Sequence, residues 1–514
     1  MLTPFVNGPF TNFNVEENRQ QMLAAIQLVE GQRGKKYPLW IGDEMVKTSG
    51  AIVSVNPSQY NQVIGSTAKV DRSLAQMAME KAAKAFETWQ HVPAQERARY
   101  LVKAAAIMRR RKYEFAAWMV LEIGKSWAEA DADVAEAIDF LEFYAREMLE
   151  LVQPVPLTPY PGEENWAQYI PLGVGAIIPP WNFPLAILAG MTAGAIVTGN
   201  TVLVKPASPT IVIAAKFMEL LQAVGLPPGV VNFIPGDGGD IGDFLVDHPQ
   251  TRFINFTGSK EIGLRINQRA SRANPGQKWI KRVHAEMGGK DTLIVDKDID
   301  LEDAVQVVTA SAFGFGGQKC SACSRVIVHQ EVYEEFCALL VEKAKTIKPG
   351  SVRDGDYLGP VCDEKAWHKI LSYIDIGKKE GRLLLGGKAG PEGGWFIEPT
   401  IFADVDPMAK ISQEEIFGPV LAVLKAADFT EALTIANNTE FGLTGGVYST
   451  SRANLELARR DFHVGNLYFN RKITGALVGV QPFGGYNMSG TCAKAGGKDY
   501  LQLFTQMKVV VEKF

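Results

Sequence analysis

GVGAIIPPWNFPLAILAGMTAGAIVTGNTVLVKP, residues 173–206, is the stretch whose reading decides the fold. From Leu172 to Val204 it carries no charge, and on length alone it is long enough to cross a bilayer. Pro179-Pro180, Pro184 and Gly199-Asn200 interrupt it, so it reads as strand, loop, buried helix and strand. The same texture continues in GVVNFIPG, RFINFTGS and DTLIVD, short β-branched runs separated by helical patterns. Strands alternating with helices in this way predict an α/β fold with a parallel sheet and crossover helices, an architecture that binds nucleotides.

Upstream, residues 1–35 are polar and helical in pattern. YPLWIGDEMVKTSGAIVSVNP, residues 37–57, reads as a hairpin-like entry that turns at Gly42-Asp43. Segments 73–90, 94–126 and 127–151 space apolar residues at three- and four-residue steps and predict core-facing amphipathic helices. Downstream, a second α/β region begins near Gly288 and runs through SRVIVHQ, GRLLLGG, FIEPTIFADV and VLAVLKAAD to GNLYFN. The tail, from about Gly496, ends in FTQMKVVVEKF, a strand with no obvious partner in its own domain; such an edge invites pairing with another subunit.

At 514 residues, two or three domains are expected. Hydrophobic residues at 46% and charged ones at 21% fit a globular enzyme and exclude a disordered or fibrous chain. With 53 basic and 57 acidic residues, no overall field favours nucleic acid or an anionic membrane, so the expected partners are small molecules and copies of the chain itself. Five cysteines, 320, 323, 337, 362 and 492, are an odd number spread thinly, which is no disulfide framework and fits a reducing compartment. Cys320 and Cys323 form a C-x-x-C without the second ligand pair a zinc site needs, so no metal is expected. Neither end of the chain reads as a targeting signal, and the cytoplasm is the expected location.

The chemistry concentrates in GFGGQKCSACSR, Gly314–Arg325. A cysteine on a glycine-flexed backbone, beside a lysine and ahead of small polar residues, can expose a thiolate and turn its own N–H groups toward a developing oxyanion. Taken alone, Cys320 is equally compatible with a small buried residue. HAEMGGKD sets Glu286 upstream of it. PGDGGDIG, Pro235–Gly242, follows a strand and opens a helix, so Gly236 and Gly238 would admit either a phosphate or a packing backbone; the spacing is not the dinucleotide fingerprint. FTGS places Ser259 at a strand-to-helix junction where N–H groups point outward.

Together PWNFP (180–184), KPAS (205–208), FTGS (256–259), EMGGKD (286–291), GQKC (317–320), EEIFGPV (414–420) and PFGG (482–485) resemble the aldehyde dehydrogenase superfamily nearly end to end. Within it, ADVAEAIDFLEFYAR (132–146) and GNLYFNRKITGALVGVQPFGG (465–485) look like the Δ1-pyrroline-5-carboxylate dehydrogenases, which oxidise L-glutamate γ-semialdehyde to glutamate in proline and arginine breakdown. The resemblance implies a Rossmann-type NAD domain from 1–152 and 171–286, an α/β catalytic domain from 287–485, and a small β oligomerisation extension from 153–170 and 486–514 that makes a dimer or larger homo-oligomer.

It also implies roles. Cys320 is the nucleophile, Glu286 the general base, and Asn182 with the Cys320 N–H the oxyanion donors. Trp181, Lys205, Ser208, Ser259, Glu415 and Phe417, with Gly236 and Gly238 in the βα turn, would hold the cofactor. Many NAD-preferring members have glutamate at the position of Ser208, and serine permits a 2′-phosphate, so NAD is expected with NADP tolerated. Ser321, Gly475 and Ala476 would hold the substrate carboxylate, Glu136 its ammonium, and Phe183 and Phe483 would wall its methylenes. On residue type alone, Asn182 reads as a turn former, Glu286 as a surface glutamate and Glu136 as a solvated helix residue. The alternatives are oxidation of another semialdehyde, against which ITGALVG argues, and a non-catalytic NAD-binding relative, which would be expected to lose Cys320 or Glu286. A cysteine hydrolase lacks a suitably placed histidine.

Overall fold

A computed structural model gives the structure, which describes residues 3–514. Val174–Ile178, the buried helix Ala186–Val197 and Thr201–Val204 form the strand, helix and strand read from the sequence. The first sheet runs, in spatial order, Arg282–Glu286, Thr251–Thr257, Val174–Ile178, Thr201–Val204, Val231–Phe233, Leu39–Ile41 and Glu44–Val46. The first five are parallel, and the last two form the antiparallel hairpin that turns at Gly42. Strand order reverses between Val174–Ile178 and Thr251–Thr257, and the crevice at the carboxyl ends of such strands is where this architecture binds ligands.

The predicted helices are Glu16–Glu30, Arg72–Trp89, Ala94–Arg110, Lys112–Ile123 and Trp127–Leu151, so the block 94–126 is broken at Arg111. The helix Ala186–Val197 packs closely because it is built from small residues: Gly190 leaves room for the ring of Phe140 and Gly194 for those of Phe504 and Tyr500.

In the second sheet the order is Arg382–Leu385, Thr400–Ala403, Val420–Ala426, Arg325–His329, Thr292–Val295, Thr444–Tyr448 and Asn466–Phe469, parallel apart from the first strand. DTLIVD, which shares the strand texture of the first region but lies beyond Gly288, belongs to this second sheet. Thr292–Val295 is central to the second sheet, and Arg282–Glu286, polar at its start and unread as a strand, closes the first. Residues 287–291 alone join Glu286, at the carboxyl end of one sheet, to Thr292, at the amino end of the other. The two chemically important edges are thereby set against each other. Asp291 fastens the junction by accepting from the Thr444 N–H at 2.7 Å through its side chain and from the Ser324 and Arg325 N–H groups through its carbonyl.

The tail strand has a partner in its own chain, which corrects the expectation of an unpaired edge. Thr505–Lys513 pairs antiparallel with Glu163–Pro171, from Thr505 opposite Pro171 to Lys513 opposite Glu163. Within the segment 486–514, Tyr500, Leu501 and Phe504 are buried in the core around the first sheet, where full burial of a ring such as Phe504 stabilises by about 2 kcal/mol. Among the described residues no helix is long and apolar enough to cross a membrane.

Candidate active site

The nucleophile loop is shaped by three successive residues in the left-handed region, Phe315 (φ 50°), Gly316 (φ 61°) and Gly317 (φ 69°). A side chain on Gly317 would collide with the Gly418 carbonyl, so the position requires glycine for both its backbone and its neighbour. Gln318, fully buried, pins the turn: its amide donates to the Phe315 and Pro360 carbonyls at 3.2 Å each and accepts from the Cys362 N–H at 2.9 Å. Lys319 is tied to Glu129 at 2.6 Å. Cys320 follows, partly open to a cavity. Burial, reinforced by the Asp291, Glu415 and Glu286 side chains, pushes its thiol well above the usual cysteine range.

Glu286 ends its strand facing the same cavity. One carboxylate oxygen accepts from the Gly485 N–H at 3.1 Å, and the other is buried without a hydrogen-bond partner. Desolvation lifts this carboxyl to about 8, opposed by the Gly485 hydrogen bond and the Lys494 charge. Asn182, 4% exposed, donates its side-chain amide to the Gln318 carbonyl at 3.0 Å, which binds the turn after Val174–Ile178 to the nucleophile loop.

Helix Trp127–Leu151 supplies the far wall. Residues 129, 133, 136, 140 and 144 lie at three- and four-residue steps, one face of the helix. Glu129 holds Lys319; Asp133 pairs with Lys125 at 2.6 Å, both wholly buried, and caps the following helix by accepting from the Ala186 N–H at 2.7 Å. Glu136, Phe140 and Tyr144 line the cavity. Burial, with a smaller contribution from Asp133, pushes Glu136 up to about 8. The structure thus removes Glu136 from the solvated face that its residue type suggests. Phe183, Ser321, Gly475, Ala476 and Phe483 border the same space. The Lys125 ammonium lies 4.0 Å from the Phe183 ring centre and fixes that wall from behind.

Along the carboxyl edge of the first sheet, Trp181 packs edge-on against Phe417 with ring centres 5.5 Å apart. Phe417 itself is held at φ 64°. Glu415 accepts from the Gly289 N–H at 3.1 Å, and Gly288 leaves no room for a β-carbon beside that carboxylate. Lys205 is 7% exposed, with its ammonium reaching the Pro206 carbonyl at 3.4 Å; burial pulls it down to about 8. Ser208 and Ser259 are exposed, and Ser259 caps the helix Lys260–Ala270. The two glycines of PGDGGDIG differ. Gly236 is a packing residue whose β-carbon would meet Ile241 and Val70, whereas Gly238 borders open space.

Sequence reasoning missed Lys125, Asp133, Asn255, Gln318, Lys494 and Tyr500. Asn255 and Tyr500 line the cavity and bond to each other at 2.9 Å, yet they lie far apart in the chain and no local pattern joins them. The 3.6-residue spacing of Asp133 with Glu136 was the one available signal.

Comparison with known proteins agrees with this geometry. The sequence profile described as "Aldehyde dehydrogenase family" matches residues 45–510. A 1-pyrroline-5-carboxylate dehydrogenase of Geobacillus kaustophilus (strain HTA426) is 57% identical, with 100% of each chain covered. The crystal structure of a Thermus 1-pyrroline-5-carboxylate dehydrogenase with bound NAD superposes with a TM-score of 0.99 at 54% identity, covering 100% of both chains. A Staphylococcus aureus betaine aldehyde dehydrogenase in complex with NAD+ gives 0.88 at 28% identity, over 96% of this chain and 97% of that one. A buried cysteine and glutamate facing one cavity where two parallel sheets meet edge to edge, and a profile that spans most of the sequence, lead to one conclusion: the chain belongs to the aldehyde dehydrogenase family.

Proposed function

We propose that the chain oxidises L-glutamate γ-semialdehyde, the open form of Δ1-pyrroline-5-carboxylate, to L-glutamate with NAD, in proline and arginine breakdown. The observation that carries this reading is a single cavity bordered by Cys320, Glu286, Ser321, Glu136 and the Gly475-Ala476 loop. It has a nucleophile and a base, and beyond them both a hydroxyl and a carboxylate for a substrate that carries opposite charges. The full-length likeness to enzymes named for this reaction supports it.

Cys320 attacks the aldehyde carbon as thiolate, its proton having passed to solvent, and Glu286, whose proton affinity burial has raised, is kept as base for the later hydrolysis. Asn182 spends one amide hydrogen on Gln318 and keeps the second for the oxyanion, beside the Cys320 N–H. A bound nicotinamide cofactor would supply the acceptor for the hydride lost from carbon. The thioester then left on Cys320 is hydrolysed by water that Glu286 deprotonates, which releases glutamate and restores the thiol. Ser321 and the N–H groups near Gly475 and Ala476 receive the substrate carboxylate. Phe183 and Phe483 enclose the methylenes, and Glu136 becomes ionised when the substrate ammonium supplies the counter-charge that burial denies it.

The carboxyl edge of the first sheet fits a dinucleotide. Lys205 presents a buried, under-bonded ammonium, Ser208 is exposed beside it, and Gly238 leaves open space where a phosphate can approach. Lys205 and Ser208 would meet the adenosine ribose, Trp181 and Ser259 the pyrophosphate, and Glu415 and Phe417 the nicotinamide ribose and ring. Ser208 presents no carboxylate to repel a 2′-phosphate, so NADP is tolerated.

On this reading 1–152 and 171–286 bind the cofactor, 287–485 is catalytic, and the extension of 153–170 and 486–514, which carries the ribbon, mediates a homodimer or larger assembly. Trp166, Val509 and Val511, each about half exposed on the ribbon, support that assignment. Five unpaired cysteines support a reducing, cytoplasmic setting. The test is NADH formation with Δ1-pyrroline-5-carboxylate beside succinic semialdehyde and acetaldehyde. A strong preference for the first is expected, and equal kcat/KM on all three would refute the substrate assignment.

A further inference from the structure

The loop that holds Glu286 is itself held by one lysine. Lys494 is half-buried, and its ammonium donates to the Gly465 carbonyl at 2.7 Å, the Gly484 carbonyl at 2.7 Å and the Asn466 side-chain oxygen at 3.1 Å. Asn466 braces the same loop, accepting from the Gly484 N–H at 3.3 Å and donating to the Pro482 carbonyl at 3.0 Å. Phe483 and Ala495 exchange both backbone hydrogen bonds, which locks the lysine's own segment onto this loop. The next residue, Gly485, gives its N–H to Glu286. One side chain therefore reaches the carboxylate through a short, continuous set of contacts.

An ammonium has three hydrogens, and here all three go to uncharged acceptors, so no carboxylate cancels the charge at contact. That charge acts on Glu286 and pulls its carboxyl down against the effect of burial; the effect is mutual, since Glu286 favours the charged form of Lys494. Other titratable groups in this surrounding are Cys320 and Tyr500, which feel the Glu286 charge, Cys492, which faces Lys494, and Tyr486, whose ring centre lies 5.7 Å from the Lys494 ammonium.

We propose that Lys494 is the positioning residue of Glu286: by fixing the Gly484 carbonyl it sets the Gly485 N–H on the carboxylate, with its own ammonium left without a carboxylate partner on the same loop. The proposal rests on the assignment of Glu286 to thioester hydrolysis.

The test follows decay of the acyl-enzyme after a single turnover between about pH 6 and 10, in wild type, Lys494→Met, Lys494→Arg and Glu286→Gln. Wild type should show hydrolysis rising with pH, and Glu286→Gln should lose that dependence. In Lys494→Met the midpoint should move up by about one pH unit, a roughly tenfold slowing below it that fades at high pH. Lys494→Arg, which keeps the charge and the donors, should return the midpoint toward wild type. A merely structural lysine would lower the rate at every pH without moving the midpoint. Should Lys494→Met melt below the assay temperature, Lys494→Gln, neutral but still a donor, should shift the midpoint in the same direction. An unmoved midpoint in the neutral variants, with the pH dependence lost in Glu286→Gln, would overturn the role of Lys494. A pH dependence that survives in Glu286→Gln would overturn the base assignment and the proposal with it.

Discussion

The Asn182 amide donates to the Gln318 carbonyl at 3.0 Å, so the proposed oxyanion donor is tied by one hydrogen bond, across the junction of the two sheets, to the loop that carries Cys320. Asn182→Ala removes both the donor and the tie. We expect kcat to fall by about 10²- to 10³-fold, the range for losing one oxyanion donor. KM should change far less, because an oxyanion donor meets charge that develops only after Cys320 attacks. Steady-state kinetics on the semialdehyde checks this; a KM effect as large as the kcat effect would place Asn182 in ground-state binding.

Cofactor choice is expected to turn on Ser208, exposed beside Lys205. Ser208→Glu should weaken NADP use far more than NAD use, since a carboxylate repels a 2′-phosphate and can bond a 2′-hydroxyl. Parallel kcat/KM measurements with the two cofactors decide it. Equal losses would put the adenosine ribose elsewhere.

Removal of residues after Thr505 strips Glu163–Pro171 of its partners from Ile170 to Glu163. The bared strand should aggregate, or the protein should sediment as monomer. A truncated chain that sediments as wild type does would separate the ribbon from assembly.

Glu136→Ala should lower kcat/KM for glutamate semialdehyde by about 1 to 3 kcal/mol, the loss of a charge-assisted hydrogen bond. Glutaric semialdehyde, which lacks the amine, should be oxidised about equally by variant and wild type. Ser321→Ala should weaken both, since both present the same carboxylate. Equal impairment of Glu136→Ala on the two substrates would leave Glu136 a structural residue of its helix.

The fold was legible where periodicity and turn residues spoke with one voice. Gly173–Pro206 announced its strand, helix and strand because prolines and Gly199-Asn200 punctuate an uncharged run. Arg282–Glu286 escaped notice because it has charged residues at both ends and a histidine at its centre, and draws its strand character from pairing with Thr251–Thr257. The partner of the tail strand was equally hidden: Glu163–Pro171 alternates weakly and lies far from residue 505, so nothing local couples them. Motif residues such as Cys320, Glu286 and Asn182 could be named from the chain. The groups that tune them could not, because Lys494, Gln318 and the Lys125–Asp133 pair act through backbone carbonyls and burial that only the folded chain creates.

The central claim is a division of labour in which Cys320 forms the thioester and Glu286 hydrolyses it. Rapid mixing of enzyme, NAD and semialdehyde, with NADH followed through the first turnover, tests it most directly. Because Glu286 must be ionised to act as base and its carboxyl is lifted to about 8, wild-type hydrolysis should quicken as pH rises toward that value. Cys320→Ala should give no NADH at all, and Glu286→Gln should give a burst near one equivalent of active sites followed by slow turnover. A Cys320→Ala enzyme that keeps about a tenth of wild-type turnover, or a Glu286→Gln enzyme without a burst, would contradict the account.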